Sequence, residues 1–275
     1  MIVFLFAALF FTAPVIANQD APSLWTLEFK GEHPVAVFFD AASSSLFVSV
    51  RSAGGASGHI AKVSQAGKLE NADFATSGEP LGALRAFDGR IFWIAGNQVF
   101  SKGRDGVRNE GSVAAELGDL CDIAVDRKGV VYVGTSAGYL VRIRGGVVSA
   151  EQKGQPVTGL FLYQDTLQLL RGTQLQSITV SARTDPQASS IPFCAKECRG
   201  LERTGTGKWL TVSGAQALEV GNGGSPRILY SAPASSPALG RPAYVYQMNS
   251  DDDFFVVPIP GESVIRAFRV NAARK

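Results

Sequence analysis

The sequence predicts an all-β fold, a six-bladed β-propeller with four antiparallel strands per blade, and three observations predict it. One phrase recurs six times: a short apolar strand, a turn rich in Asp, Gly or Ser, a strongly apolar second strand, a Gly-containing turn and an alternating third strand. The second strands begin at Leu46, Ile91, Val130, Leu167, Trp209 and Phe254, so the copies step by 45, 39, 37, 42 and 45 residues, close to what four strands and their turns occupy. No long stretch carries the 3.6-residue apolar period of a helix.

The copies follow in order. The first is VAVFFDAASSSLFVSV with HIAKVSQAGK, the second GALRAFDGRIFWIAG with NQVFSKGRDG, and the third CDIAVDRKGVVYVGTSAG with YLVRIRGG. The fourth is TGLFLYQDTLQLLRG with TQLQSITV, the fifth RGLERTGTGKWLTVSG with AQALEVGNGG, and the sixth PAYVYQMNSDDDFFVVPIPG with SVIRAFRV. The sixth stops near Val270 without a fourth strand, whereas Leu24-Trp25-Thr26-Leu27-Glu28-Phe29 alternates before the first copy. That segment, about 24–29, is expected to complete the last blade, close the ring and cover an open sheet edge. Trp93, Trp209 and Phe254, all in second strands, are expected to pack between neighbouring blades.

Residues 1–17, MIVFLFAALFFTAPVIA, carry no charge and end in Val15-Ile16-Ala17, which reads as a signal peptide cut before Asn18. The run is shorter than the ~20 residues that cross a bilayer. The expectation is therefore an exported protein, periplasmic or secreted, with no membrane span after cleavage and residues 18–275 forming a single monomeric propeller domain.

Of 275 residues 45% are hydrophobic and 18% charged, enough to bury a sizeable core, and the net charge of +2 has no Lys/Arg cluster behind it. Nucleic acid and anionic membrane are thereby set aside as partners. In an oxidising compartment Cys194 and Cys198 are expected to close a small disulfide loop, the alternative being two reduced thiols, and Cys121 is left single. Zinc is disfavoured because only His33 and His59 could complete four ligands. Neither histidine sits near a nucleophile elbow, so no Ser-His-Asp arrangement is read and no catalytic residue is assigned. Gly221-Asn222-Gly223-Gly224 lies at a strand turn and not before a helix, which argues against a phosphate cradle. Asp251-Asp252-Asp253 reads as a solvated hairpin turn, the alternative being a calcium site that would need further oxygen ligands.

The phrases DIAVDRKGVVYVG, TGLFLYQDTLQLL and VYQMNSDDDFFVVPIPGESVIRAF, with HIAKVSQAGK before them, resemble the exported propeller proteins related to senescence marker protein and gluconolactonase, and the looser NHL-repeat group. The resemblance covers roughly Val35 to Val270. It implies a divalent cation, calcium or another hard metal, in the central channel, held by a Glu, two Asn and an Asp at the entrances of the innermost strands. The matching positions carry Val35, with Glu32 and His33 just before it, Cys121 with Asp122 beside it, Thr158, and Arg199 where Asp is expected.

That donor set is poor, since valine cannot ligate, a thiol is soft and an arginine brings fixed positive charge. Asp122, Glu32 or Glu202 would have to supply oxygens, Asp122 being the candidate metal ligand. The reading is therefore a binding module with a degenerate channel site, taking a small polar molecule or an envelope protein and no assigned cofactor. Glu32, Asp122, Thr158, Arg199, Arg241 and Tyr244 are its candidate ligand-binding residues. The alternative is a metal-dependent hydrolase of lactones or related esters.

Overall fold

The computed structural model describes residues 22–79, 81–180, 189–221, 226–233, 235–246 and 253–270. The expected signal peptide, residues 1–17, with its expected cut before Asn18, residues 222–224 and residues 251–252 lie outside the described residues.

Among the described residues the strands pair into six four-stranded antiparallel sheets, the blades of a propeller. Blade I is β2 (His33–Asp40), β3 (Ser45–Arg51), β4 (Gly58–Ser64) and β5 (Leu69–Ser77). Blade II is β6 (Leu81–Phe87), β7 (Arg90–Ala95), β8 (Gln98–Gly103) and β9 (Gly106–Ser112), and blade III is β10 (Leu120–Val125), β11 (Val131–Thr135), β12 (Tyr139–Arg144) and β13 (Val147–Lys153). Blade IV is β14 (Val157–Tyr163), β15 (Thr166–Arg171), β16 (Gln174–Thr179) and β17 (Ser189–Pro192), and blade V is β18 (Arg199–Arg203), β19 (Trp209–Ser213), β20 (Gln216–Val220) and β21 (Arg227–Ser231). Blade VI joins both ends of the chain: β22 (Ala243–Val245), β23 (Phe254–Ile259) and β24 (Val264–Arg269) are completed by β1 (Trp25–Glu28).

Trp25 pairs with Ala267 and Glu28 with Val264, the closure expected from the alternation at 24–29. Trp25 stacks edge-on against Phe254 with centroids 6.4 Å apart, and its indole N–H donates to the Gln65 carbonyl of blade I at 2.8 Å. Outermost strand and neighbouring blade are thus fastened by one side chain. The tight hairpins follow local chemistry too: Asp88 and Gly89 both hold positive φ, 50° and 68°, the turn that suits the twist of a two-residue hairpin.

Six apolar clusters fill the spaces between adjacent blades. Trp93 lies in the cluster between blades I and II, Trp209 in that between IV and V, and Phe254 in that between VI and I. Buried side chains alternate between the two faces of each strand because both faces of a blade meet a neighbour. No helix among the described residues is long and apolar enough to cross a membrane.

Candidate functional site

The innermost strands β2, β6, β10, β14, β18 and β22 line the channel, and one edge of each lacks a partner strand. Their amides and carbonyls therefore need other partners. In blades I to V the ladder slips near the entrance of the innermost strand, between Pro34 and Ala36, Leu81 and Leu84, Leu120 and Asp122, Val157 and Gly159, and Arg199 and Glu202. A bulge changes which side chains turn inward. In blade III it leaves Cys121 at the mouth and buries Asp122 completely; in blade V it leaves Arg199 exposed and buries Glu202.

Beyond the bulges the register is common to five blades. Phe38, Arg85, Ala124, Phe161 and Glu202 pair with Phe47, Phe92, Tyr132, Gln168 and Leu210, each one or two residues into its second strand. Arg85 and Glu202 thus stand at equivalent heights in blades II and V, which face each other across a six-membered ring. They form a direct ion pair through Arg85 Nη1 and Glu202 Oε1.

A second pair crosses the same channel. Arg241 sits just before β22 and bridges in parallel to Ala36, with its amide on the Val35 carbonyl and its carbonyl on the Val37 amide, both at 2.9 Å. Its side chain reaches Asp122 of blade III, Nε to Oδ1 at 3.0 Å, and Glu202 of blade V, Nη2 to Oε1 at 2.5 Å. Gly200 makes room for that path, since a Cβ there would stand 2.7 Å from Arg241 Cγ, and its φ of +65° suits glycine.

The four side chains also satisfy the free strand edges. Arg85 donates from Nε to the Ile123 carbonyl at 3.0 Å and from Nη2 to the Leu160 and Leu201 carbonyls at 2.5 and 3.1 Å. Asp122 accepts the Ile123 amide at 2.9 Å on Oδ1 and the Leu160 amide at 2.8 Å on Oδ2. Arg241 adds the Val37 carbonyl at 3.4 Å. Two guanidiniums and two carboxylates cancel in charge, and together they tie all six blades at the axis.

Their electrostatics differ in detail. Burial pulls the Arg241 guanidinium down, but Asp122 and Glu202 outweigh that and hold it above the ordinary arginine range. Burial, with repulsion from Arg241, leaves Arg85 below it despite Glu202 and Asp122. At the mouth, burial and then the Asp122 charge push the Cys121 thiol up to about 11.

The remaining candidates take other places. Glu32 lies 3.5 Å from His59 Nδ1 on β4, off the axis, and His33 donates to the Pro260 carbonyl at 2.9 Å. Thr158 is buried and donates to the Cys198 carbonyl at 2.6 Å, while Cys198 is joined to Cys194 by a disulfide. Arg199 meets Glu197 at 3.6 Å at the rim. Tyr244 has the opposite pleat: it packs in the cluster between blades V and VI and donates to Asp253 at 2.5 Å, and burial followed by that bond raises its phenol well above the ordinary value. Of the candidates, only Asp122 and Arg241 are brought together at the axis. Arg85, absent from the sequence-derived set, is joined to them.

This donor set does not fit a hard divalent cation, which takes six to eight oxygens. Only two carboxylates reach the axis, guanidinium groups already occupy them, and no group of three or more His, Cys, Asp or Glu among the described residues is placed to hold a metal.

At the other end of the channel, where the innermost strands finish, a cavity of about 390 Å³ opens over Arg85. Phe38 and Phe161 flank the guanidinium, their centroids 5.4 and 5.9 Å from its carbon, while Phe87, Tyr163 and Arg127 stand further out.

No family model and no curated protein matches the chain. Solved structures do. A putative gluconolactonase superposes with TM-score 0.66 at 12% identity, covering 94% of this chain and 93% of the other. A calcium-binding protein, regucalcin, from Agrobacterium tumefaciens gives 0.64 at 13% identity over 90% and 93%. Virginiamycin B lyase from Staphylococcus aureus gives 0.59 at 13% over 90% and 88%. At such identities the likeness is one of fold, the six-bladed propeller shared with the gluconolactonase and regucalcin structures.

Proposed function

We propose that this chain is an exported binding module whose channel is closed by its own charges, and that it binds a small polar molecule at one of the two channel mouths without metal chemistry. The observation that carries this reading is Arg241, whose guanidinium lies against both Asp122 and Glu202, the two carboxylates that a channel cation would need. A fixed positive charge between the oxygen donors opposes a second cation there by like-charge repulsion, which the low dielectric of a buried site strengthens. The same propeller serves proteins described as a putative gluconolactonase and as calcium-binding, so the competing reading is a metal-dependent hydrolase of lactones or related esters.

Elemental analysis and calcium titration calorimetry on the protein from Asn18 onward separate the two. The expected result is no stoichiometric metal, no heat of binding at millimolar calcium and no chelator-sensitive lactone hydrolysis. Metal bound at one equivalent, lost on Asp122→Ala, together with hydrolysis abolished by a chelator, would overturn the binding-module reading.

A further inference from the structure

The cavity at the far mouth has a chemistry that the channel network does not explain. Its lining includes two arginines, Arg85 and Arg127, and no carboxylate, while the rest of the wall is mostly apolar and aromatic, with Phe38, Phe87, Phe161 and Tyr163 among it. About 390 Å³ falls within the range of sites that take small organic molecules.

The two arginines differ in how much of their charge is already used. Four of the five N–H groups of Arg85 go to Glu202 and to the Ile123, Leu160 and Leu201 carbonyls, so its guanidinium is a fixed floor with two rings beside it. Arg127 is exposed at the rim and makes no ion pair or hydrogen bond with any described residue. Its neighbour Asp126 is turned into its own hairpin, where Oδ1 accepts the Lys128 and Val130 amides and Oδ2 the Tyr132 hydroxyl, and it forms no ion pair with Arg127. Arg203 lies over one of the lining rings, Tyr163, at 4.9 Å, while Asp40, Asp88, Asp126 and Asp165 stand in the hairpins where β2, β6, β10 and β14 end, outside the cavity lining.

We infer that this far-mouth cavity binds a small aromatic monocarboxylate, its ring among Phe87, Phe161 and Tyr163 and its carboxylate on Arg127. Aromatic walls give a flat apolar body a large contact area, and a planar guanidinium receives a carboxylate through paired N–H groups. An organic cation of the same shape would meet the Arg127 charge where the carboxylate is received. The inference rests on the binding-module reading and adds to it the mouth that is used and the ligand class.

The test is calorimetry and thermal shift with 3-phenylpropionate, against 3-phenylpropanol as neutral and 3-phenylpropylamine as cationic analogue, on wild type, Arg127→Gln and Gln164→Glu. Arg127 is exposed and Gln164 lies on the cavity lining at a hairpin turn, so neither change should move the melting temperature of the free protein. The expected result is binding of the carboxylate at least tenfold tighter than of either analogue, at least tenfold weaker binding to Arg127→Gln, and none detectable to Gln164→Glu. Equal affinity for carboxylate and alcohol, or binding unaffected by both substitutions, would overturn the inference. A ligand whose amide shifts map to Cys121 and Arg199 would do the same while leaving the binding-module reading standing, whereas metal-dependent hydrolysis would remove that reading itself.

Discussion

Replacing Glu202 by Gln changes one atom and one charge at the axis. In the wild type Arg85 and Arg241 share the Glu202 carboxylate, and Arg241 also meets Asp122, so the buried charges sum to zero. In the variant both guanidiniums remain, with Asp122 as the only carboxylate, and one buried positive charge is left without a counter-charge. Removing one partner of a buried pair typically costs about 3–5 kcal/mol. At about 2–4 °C per kcal/mol for chains of this size, the melting temperature should fall by about 6–20 °C. Equilibrium urea unfolding is the assay, read by the fluorescence of the three tryptophans, of which Trp25, Trp93 and Trp209 report three different blade junctions. The double variant Arg85→Met/Glu202→Met removes both charges and leaves the Arg241–Asp122 pair neutral. Its destabilisation should fall short of the sum of the single Met variants by about 2–3 kcal/mol, the coupling expected of directly paired groups. A Glu202→Gln loss under about 1 kcal/mol, or single effects that add within about 0.5 kcal/mol, would refute the picture of two charge pairs spanning the ring.

Gly200→Ala should cost about 1–3 kcal/mol, since it places a Cβ at positive φ and against the path of the Arg241 side chain, and an unchanged urea midpoint would remove that steric argument. Cys121 ionises near 9.0 when unfolded and near about 11 when folded, so the unfolded chain releases the proton first as pH rises. Its contribution is present in full below pH 9.0 and is lost as pH rises towards about 11; a Cys121→Ser variant should lack that part of the alkaline decline, measured as midpoint against pH. A chain beginning at Lys30 lacks β1 and leaves the outer edge of β24 without a partner, and should associate through that edge, seen as larger species on size-exclusion chromatography with light scattering.

The ring was legible in the sequence because each second strand is apolar on both faces and each hairpin turn announces itself, as Asp88-Gly89 does. Closure was legible because Trp25, Leu27 and Phe29 alternate with polar residues. The axis was harder to read. Bulges at the strand entrances shift the pleat by a residue, so that Asp122 and not Cys121, Glu202 and not Arg199, turn inward. In blade VI the pleat runs the other way and carries Tyr244 into the space beside blade V. Arg85 escaped notice because its partner is 117 residues away, a separation set by ring geometry and by no local pattern. A lone arginine inside the apolar run LGALRAF is the one signal that could have found it.

The pairing of β1 with β24 also fixes an order in time. Trp25 to Glu28 are made before any blade exists, and their partners Val264 to Ala267 follow only after the strands of the first five blades. At about 5–20 residues per second, the first strand waits on the order of ten to fifty seconds for the strand that will receive it. Through that interval a nascent chain can assemble blades I to V but cannot lock them into a ring. A chain cut short before blade VI leaves bare the apolar faces of blades I and V that the finished ring covers, a contiguous surface of the kind that draws other chains.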